Sequence, residues 1–443
     1  MDRAYEETAL YNLESGTDVD WETGLIIPEE RSAVNRLPFS VHSGCIFHPV
    51  RPDVRFKVYC YQPKIPEELI HTYTYQPEAN WTTYCQELSD REWIEKDRMI
   101  SKDGYVRIAV SLLSAEDKCN ERRLQDYIRI TEPEIEGQPA PKWMNRCCND
   151  LLRKTATARQ EDDVTLLLLA DTHFTVGGIW QDTLRSLKMA ADELHPDAVV
   201  HLGDFTDGLL PANYTRSLSA EILSELKAVC GKLWCCIGNH DWNYFRGNPD
   251  RMSREECACL YLGQEIPWYY VDFPDQKLRL LFLDSFDPEE KKRYGFPAGE
   301  VRWVRRTLRS TPKGYRVLVF SHVPPAAEIH VWSDTIRNEE RMFRVLERFH
   351  ARRRGTVLGW VHGHSHADQI YEKGVFPVIG IGCSKLEDFQ DHKPEGSVTW
   401  RRTLQSETQE LWDVLLIHTE SGSLDFLRFG AGEDRHVEGK KRA

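Results

Sequence analysis

The apolar positions of the chain follow two different patterns, one on each side of residues 133–162. Before this segment, short runs rich in β-branched and aromatic residues alternate with turn residues. Three of these runs are VRFKVYCYQP (54–63), HTYTYQP (71–77) and GYVRIAVSLL (104–113). Short strands at this spacing predict an all-β unit of the sandwich or jelly-roll type.

After residue 162 the pattern changes to an alternation of strands, loops and helices. Helices are predicted at DTLRSLKMAADEL (182–194) and SLSAEILSELKAV (217–229). The strand-sized apolar runs are 164–170, 198–202, 233–237, 278–283, 316–320, 357–361 and 376–382. Such an alternation predicts an α/β domain with buried sheets. Two further strands, 412–419 and 423–430, are predicted to pair as a closing hairpin.

These patterns predict four segments along the chain. They are an N-terminal β-rich accessory domain (1–132), a linker and bridging helix (133–162), the α/β domain (163–432) and a loose charged tail (433–443). The linker is indicated by the Pro and Gly residues of PEIEGQPAP, and the helix by Trp143, Cys147 and Leu151 near one face. The role of the accessory domain stays open between binding a sugar or polymer and shaping the neighbouring cleft.

Charge and targeting signals narrow the class of protein. The 443 residues carry a formal net charge of −13, which counts against nucleic-acid binding. A small anionic substrate remains compatible, because bound divalent cations can reverse the local field. The N-terminus has no apolar segment and no run of about 18 apolar residues occurs, so we expect no signal peptide, no membrane span and a cytoplasmic location. The twelve cysteines lack zinc-site spacing and are expected to be reduced.

Five of the apolar runs in the α/β domain are followed by side chains that commonly bind metals. The motifs are ADTH (Asp171, His173), LGDFTD (Asp204, Asp207), IGNHD (Asn239, His240, Asp241), FSHVPP (His322) and VHGHSH (His362, His364, His366). In open α/β sheets, sites form where strands end in loops. Each motif alone is weak, but five strand ends that all carry such residues predict one common site.

The residue types at these strand ends suit a particular chemistry. Carboxylate, amide and imidazole ligands without thiolate favour Mn, Fe, Zn or Co. One Asp can bridge two ions, and two ions about 3.5–4 Å apart stabilise both the attacking and the leaving oxygen of a phosphoryl displacement. A nearby imidazole can protonate the leaving group. Gly203, Gly238 and Gly363 are expected to allow the tight turns that aim the ligands inward.

The ordered set D-x-H, G-D, G-N-H-[DE], H and G-H-x-H resembles the motifs of the calcineurin-like metallophosphoesterase superfamily, over residues 164 to about 430. The resemblance implies a four-layer αββα fold, with two β-sheets between helices. It implies one metal held by Asp171, His173 and His366, a second held by Asn239, His322 and His364, and Asp204 as the bridge. It also implies His240 as the catalytic histidine, with Asp241 orienting it.

One position departs from a branch of this family, and the rim of the site is less informative. Purple acid phosphatases have a tyrosine three residues after the bridging Asp, where this chain has Asp207, so a ferric site is not expected. Asp207 either supports the site or caps the following segment. Trp242, Tyr244 and Arg246 follow the IGNHD motif and are candidates for substrate binding, with loop packing as the alternative. His330 and Trp332 are similar rim candidates.

The sequence therefore predicts a hydrolase of phosphate mono- or diesters. The resemblance implies a dinuclear metal centre, a metal-bound hydroxide as nucleophile and a catalytic histidine. Two alternatives from other classes are a two-metal nuclease and a non-catalytic scaffold with the same fold. The acidic charge argues against the nuclease, and the intact set of ligand types argues against the scaffold. The substrate, the metal and the oligomeric state stay open.

Overall fold

The computed structural model describes most of the chain as two compact units, which divide between Pro139 and Ala140. The described residues are 12–35, 38–41, 43–63, 82–102, 104–114, 118–119, 123–131, 139–174, 179–208, 212–244, 250–287, 289–291, 293–330, 333, 335–351, 355–386, 399, 402–403 and 405–439. Within these ranges, no helix is both long and apolar enough to cross a bilayer. All twelve cysteines are free thiols.

The described residues of the first unit form nine antiparallel strands. They are β1 Leu13–Val19, β2 Ile26–Asn35, β3 Phe39–Val41, β4 Ile46–Pro49, β5 Val54–Pro63, β6 Thr82–Tyr84, β7 Arg98–Met99, β8 Gly104–Leu112 and β9 Ile128–Thr131. Short 3₁₀ turns lie at Gln86–Leu88 and Leu124–Asp126. One sheet has the order β1-β2-β8-β5-β6 with β3 also paired to β8, and a smaller sheet has the order β7-β4-β9.

Side-chain alternation explains how this unit packs. Phe56 and Val58 of β5 enter one apolar core together with Phe47 and Ile130 of the smaller sheet. Tyr59, the residue after Val58, points to the opposite face and joins a second cluster with other aromatic residues. The all-β prediction is confirmed, and the shared core between the two sheets is that of a sandwich. The predicted run 71–77 lies outside the described residues.

The second unit contains two six-stranded sheets. The first has the order β12-β11-β10-β19-β20-β21 and the second β13-β14-β15-β16-β18-β17. The strands are β10 Val164–Leu169, β11 Ala198–His201, β12 Leu233–Cys235, β13 Tyr269–Phe273, β14 Leu278–Phe282, β15 Arg316–Ser321, β16 Thr356–His362, β17 Gln369–Lys373, β18 Phe376–Gly380, β19 Leu411–Ile417, β20 Leu424–Gly430 and β21 Arg435–Val437.

In the described part of this unit, six helices and one 3₁₀ turn accompany the strands. The helices are α1 Lys142–Ala158, α2 Trp180–Leu194, α3 Ala212–Cys230, α4 Arg254–Leu262, α5 Ala298–Ser310 and α6 Glu339–Ala351, with the 3₁₀ turn at Ala327–Ile329. The strands β10, β11 and β12 run parallel, as do β14, β15, β16 and β18. Parallel neighbours place their carboxyl ends on one edge of each sheet.

The apolar faces of these elements stack as four layers. Leu168 and Leu415 of the first sheet meet Phe282 and Phe320 of the second in a central core. The outer face of the second sheet packs on α5 and α6, for example through Trp360 against Phe343. The outer face of the first sheet is covered by α1 and α2. Helix α1 packs against β20 and α2, and the Trp412 indole of β19 donates a 3.0 Å hydrogen bond to Ser186 of α2. The predicted αββα sandwich is confirmed.

Two local predictions differ from the structure. The tail was predicted to be loose, but Arg435–Val437 forms β21, paired with β20, because Arg435 is buried and binds Asp413 at 2.7 Å. The predicted bridging helix is α1, which belongs to the second unit. Its buried face includes Cys148, whereas Cys147 is only half-buried.

Candidate metal centre

The predicted ligand residues follow the carboxyl ends of the parallel strands. Asp171 and His173 follow β10, Asp204 follows β11 and Asn239 follows β12, all in the first sheet. The second sheet supplies His322 after β15, and His364 with His366 after β16. All seven are buried. Because the carboxyl ends of parallel strands lie at one edge of a sheet, residues nearly 200 positions apart in sequence converge in one place.

The first group consists of Asp171, His173 and His366. The Nε2 atoms of the two imidazoles are 3.3 Å apart, and His366 Nε2 lies 3.4 Å from Asp171 Oδ1. All three donor atoms fall within 4.8 Å of one another. These are the three residues that the sequence predicts for one metal, and their spacing is compatible with binding a single cation.

The second group gathers around His322. Its Nε2 lies 3.1 Å from Asp204 Oδ2, 3.1 Å from His364 Nδ1 and 3.0 Å from Asn239 Oδ1. Asp204 is also close enough to His173 and His240 to form a third possible metal-binding set with them. Asp204 therefore lies between the two groups, as a bridging carboxylate would.

Hydrogen bonding and burial prepare the imidazoles for this arrangement. His322 Nδ1 donates to the carbonyl of Leu202 at 2.9 Å, which directs Nε2 towards Asp204. Burial lowers the pKa of His173 and of His364 well below its ordinary value, so both rings are held neutral. Burial also opposes a charge on His322, yet Asp204 raises the pKa of His322 to about 9. A cation bound here would have to displace that proton.

The backbone at the centre adopts a conformation that most side chains avoid. Asp171, His173, Asp204, His364 and His366 all have φ between 46° and 65°. Left-handed backbone at non-glycine residues is rare and concentrates at functional sites. Gly203 also has positive φ. Gly238 is needed for a different reason, since its backbone lies so close to Asp204 that a Cβ there would lie 2.1 Å from Asp204 Oδ1.

His240 is oriented by a different group from the one predicted. Its Nδ1 donates to the backbone carbonyl of Asp207, and its Nε2 lies 3.8 Å from Asp204 Oδ2. The Asp241 carboxylate instead accepts the backbone N–H groups of the Asp204 loop and of Gly238, at 2.8–3.4 Å. The predicted role of Asp241 in orienting His240 is therefore wrong, because its oxygens join the loops after β11 and β12.

A buried hydrogen-bond chain supports the loop that follows β10. His201 Nε2 lies 2.7 Å from Thr172 Oγ1, which lies 3.0 Å from Ser384 Oγ. Ser384 and Lys385 donate their backbone N–H groups to the carbonyls of Ala170 and Asp171. These contacts fix the loop that carries Asp171 and His173. Nothing in the sequence near His201 or Ser384 indicated this role.

The predicted substrate-binding residues occupy different environments in the structure. Trp242 is fully buried and packs against Phe286, which is the alternative considered from the sequence, so it is not a rim residue. Tyr244 is half-buried, and the guanidinium groups of Arg251 and Arg293 lie over its ring. Arg246 and Trp332 lie outside the described residues.

Two aromatic rings flank the second ligand group. The ring centroid of Tyr294 lies 5.2 Å from that of His364, and the ring centroid of His330 lies 4.8 Å from it. His330 was a rim candidate from the sequence, but Tyr294 was not. It lies in the charged segment between β14 and α5, where no strand end or motif marks it.

Five strand ends thus bring together two groups of side chains, each of which could hold one cation. This arrangement defines a class of protein. Residues 164–368 match the model of the calcineurin-like phosphoesterase family, and this part of the chain is a calcineurin-like phosphoesterase domain. The predicted family is thereby confirmed.

Solved structures give the following similarities. A dimetal phosphatase from Danio rerio is 19% identical with a TM-score of 0.45, over 63% of this chain and 100% of the other. GAP50, the anchor in the inner membrane complex of Plasmodium, is 16% identical with a TM-score of 0.43, over 63% and 90%. The phosphopantetheinyl hydrolase of Mycobacterium tuberculosis is 12% identical with a TM-score of 0.30, over 49% and 89%. No curated protein matches the sequence.

Proposed function

We propose that this protein is a metal-dependent hydrolase of phosphate mono- or diesters with a dinuclear metal centre. The observation that carries the proposal is the pair of ligand groups that meet at Asp204, whose Oδ2 lies 3.1 Å from His322 Nε2. Two cation sites joined by one carboxylate are the arrangement that phosphoryl displacement uses.

The donor set fits two divalent cations. Asp171, His173 and His366 would hold one, Asn239, His322 and His364 the other, and Asp204 would bridge them. Oxygen and imidazole donors without thiolate favour Mn, Fe, Zn or Co over softer ions. When bound, such cations neutralise phosphate charge and make an attacking water more acidic.

His240 is the chain's own proton donor in this proposal. Its Nδ1–H is engaged by the Asp207 carbonyl, so Nε2 is the atom directed towards Asp204 and would face a phosphate bound there. In the imidazolium form, Nε2–H would donate to the oxygen that leaves phosphorus. Its position next to the His173 ring, 4.7 Å between centroids, keeps it beside the first ligand group.

Two other functions remain as alternatives. A two-metal nuclease would use the same centre, but the net charge of −13 disfavours a long polyanionic substrate. A scaffold without activity would have no need for strained backbone at five of the seven ligand positions. Both alternatives predict different results in the experiment below.

The test is hydrolysis of para-nitrophenyl phosphate and its bis-ester by protein reconstituted with Mn, Zn, Co or Fe. We expect turnover with at least one metal, and a loss of about 10²–10⁴-fold in kcat for His240→Ala. The metal content of that variant, measured by mass spectrometry, should be unchanged. His436→Ala, on the half-exposed strand β21, is the matched control and should retain full activity.

Other results would redirect the proposal. If the wild type binds metal but turns over neither ester with any of the four ions, the scaffold is favoured. If it binds DNA with an affinity that falls steeply with salt, the nuclease is favoured. If His240→Ala keeps full activity, the metals act without this histidine and the proposed proton donor is wrong.

A further inference from the structure

Two arginines share one aromatic ring beside the metal centre. The guanidinium carbon of Arg293 lies 4.2 Å from the ring centroid of Tyr244, and that of Arg251 lies 4.8 Å from it. Cations in this position are attracted by the ring's electron density. Tyr244 therefore holds two positive charges close together.

This pair is connected to the second ligand group through Tyr294. Its ring contacts those of His364 and His330, and the guanidinium carbon of Arg293 lies 5.9 Å from its ring centroid. The chain of contacts thus runs from His364 to Tyr294, then to Arg293 and Tyr244.

Neighbouring arginines behave differently. Arg254 pairs with Asp284 and Asp287, and Arg337 pairs with Asp287 and Glu290. Neither Arg251 nor Arg293 has a carboxylate within ion-pair distance among the residues that the structure describes. In a chain with 70 acidic and 57 basic residues, two adjacent cations without counter-ions are unusual.

The same contacts argue against a different use of this surface. A tyrosine at the rim could stack on a nucleobase, but two guanidinium groups already cover the Tyr244 ring, and Phe286 lies 5.8 Å from it. What remains available is positive charge and planar N–H donors. Guanidinium groups bind phosphate and carboxylate through paired hydrogen bonds.

We propose that Arg293 and Arg251, held on Tyr244, form an anion subsite that binds a second negatively charged group of the substrate, remote from the phosphate at the metal centre. The proposal rests on the proposed function of that centre. It assigns the substrate to phosphate esters that carry another phosphate or a carboxylate. Arg293 is the principal residue, since it also contacts Tyr294.

The test measures binding of non-hydrolysable probes to the full-length, manganese-loaded protein by calorimetry, so that it does not depend on turnover. The probes are propylphosphonate, propane-1,3-bisphosphonate and 4-phosphonobutyrate. We expect at least one of the two doubly anionic probes to bind about tenfold or more tightly than propylphosphonate, because a charge-assisted hydrogen bond is added. Comparison of the two tells phosphate from carboxylate.

Variants localise the effect. Arg293→Gln should remove most of this preference and Arg251→Gln part of it, while binding of propylphosphonate changes less than about twofold. Arg306→Gln, an exposed arginine of α5, removes the same charge elsewhere and should leave the preference intact. Circular dichroism and metal content confirm that each variant is folded and loaded.

The proposal is overturned if the wild type binds all three probes equally, or if Arg293→Gln and Arg251→Gln both keep the wild-type preference. These results are distinguishable from failure of the proposed function. Hydrolysis of para-nitrophenyl phosphate with no probe preference leaves the hydrolase and removes the subsite. Probe preference without hydrolysis of either ester leaves the subsite and removes the hydrolase.

Discussion

At the scale of single residues, Asp204 is closely packed by the residues around it. A Cβ on Gly238 would lie 2.1 Å from Asp204 Oδ1 and 2.3 Å from the Asp204 nitrogen. Asp204 is itself in left-handed backbone, with φ of 56°, and accepts the His240 N–H at 2.7 Å. The loop after β12 therefore packs directly on the residue that is proposed to bridge two cations.

Gly238→Ala should consequently displace Asp204. We expect the variant to lose most of its bound metal and about 1–3 kcal/mol of unfolding free energy, the usual cost of overpacking. Metal content and urea unfolding measure both effects. Gly299→Ala, in helix α5, is the matched control. The added Cβ would have no neighbour closer than 3.8 Å. This control should keep its metal, and its unfolding free energy should change by less than about 1 kcal/mol. Full metal content in Gly238→Ala would show that the loop can move aside.

The same scale shows which residues a sequence can identify. Asp171, Asp204 and His322 were identified because each follows an apolar run and has a side chain that binds metals. The carbonyl of Asp207, which orients His240, carries no signal, since every residue has a carbonyl. Asp241 was assigned to His240 because it is adjacent in sequence, but its carboxylate points to backbone N–H groups across the loop.

At the scale of elements, the buried parallel strands were predictable, as was the edge strand β12, but the edge strands β13, β17 and β21 were not. Runs such as VTLLLL are buried throughout, so a continuous apolar pattern marks them. The unpredicted strands β13, β17 and β21 lie at sheet edges, where polar residues interrupt the pattern. For β21, pairing depends on Arg435 meeting Asp413, a contact that no local pattern indicates.

Glu410, next to the start of β19, gives a prediction about an element. It is fully buried, and accepts hydrogen bonds from Thr183 of α2 at 2.6 Å and from Gln409 at 3.0 Å. Burial, with the nearby Asp182 carboxylate, raises the pKa of Glu410 to about 8. The folded state thus keeps this proton at pH values where the unfolded chain, with a pKa of about 4.3, has lost it.

A raised pKa means that stability is lost as pH rises from about 4 towards 8. Glu410→Gln mimics the protonated form and removes this dependence. We expect the variant to be more stable than the wild type at pH 8 and similar to it at pH 4 or below. Urea unfolding at both pH values tests this. An equal difference at the two pH values would mean that Glu410 is ionised in the folded protein.

At the scale of the whole second unit, a buried ionic network connects its two sheets. Asp368, which follows β16, pairs with Arg428 of β20 at 3.1 Å, and Arg428 pairs with Asp413 of β19 at 2.8 Å. Arg435 of β21 also binds Asp413 and donates to the carbonyl of Gly380 in β18 at 2.6 Å. Since Asp368 lies two residues after His366, this network also fixes the position of a proposed metal ligand relative to the opposite sheet.

Removal of the Asp368 charge should therefore destabilise the unit strongly. Asp368→Asn leaves Arg428 buried with one carboxylate fewer, and we expect a loss of about 3–5 kcal/mol at pH 7. Asp150→Asn, in an exposed ion pair with Lys154 on α1, is the matched control and should cost less than about 1 kcal/mol. The measurement is urea unfolding, with metal content as a second readout of the displacement of His366.

The pH dependence of this loss separates charge from shape. Burial alone would raise the pKa of Asp368, but Arg428 and Arg435 hold it well below its ordinary value. A depressed pKa gives stability that is complete above the unfolded pKa of about 3.9 and is lost as pH falls below it. The difference between wild type and Asp368→Asn should therefore be constant from pH 7 to about pH 5 and shrink towards pH 3. If it stays constant down to pH 3, the cost arises from altered packing, and the sheets are joined by their apolar core rather than by these charges.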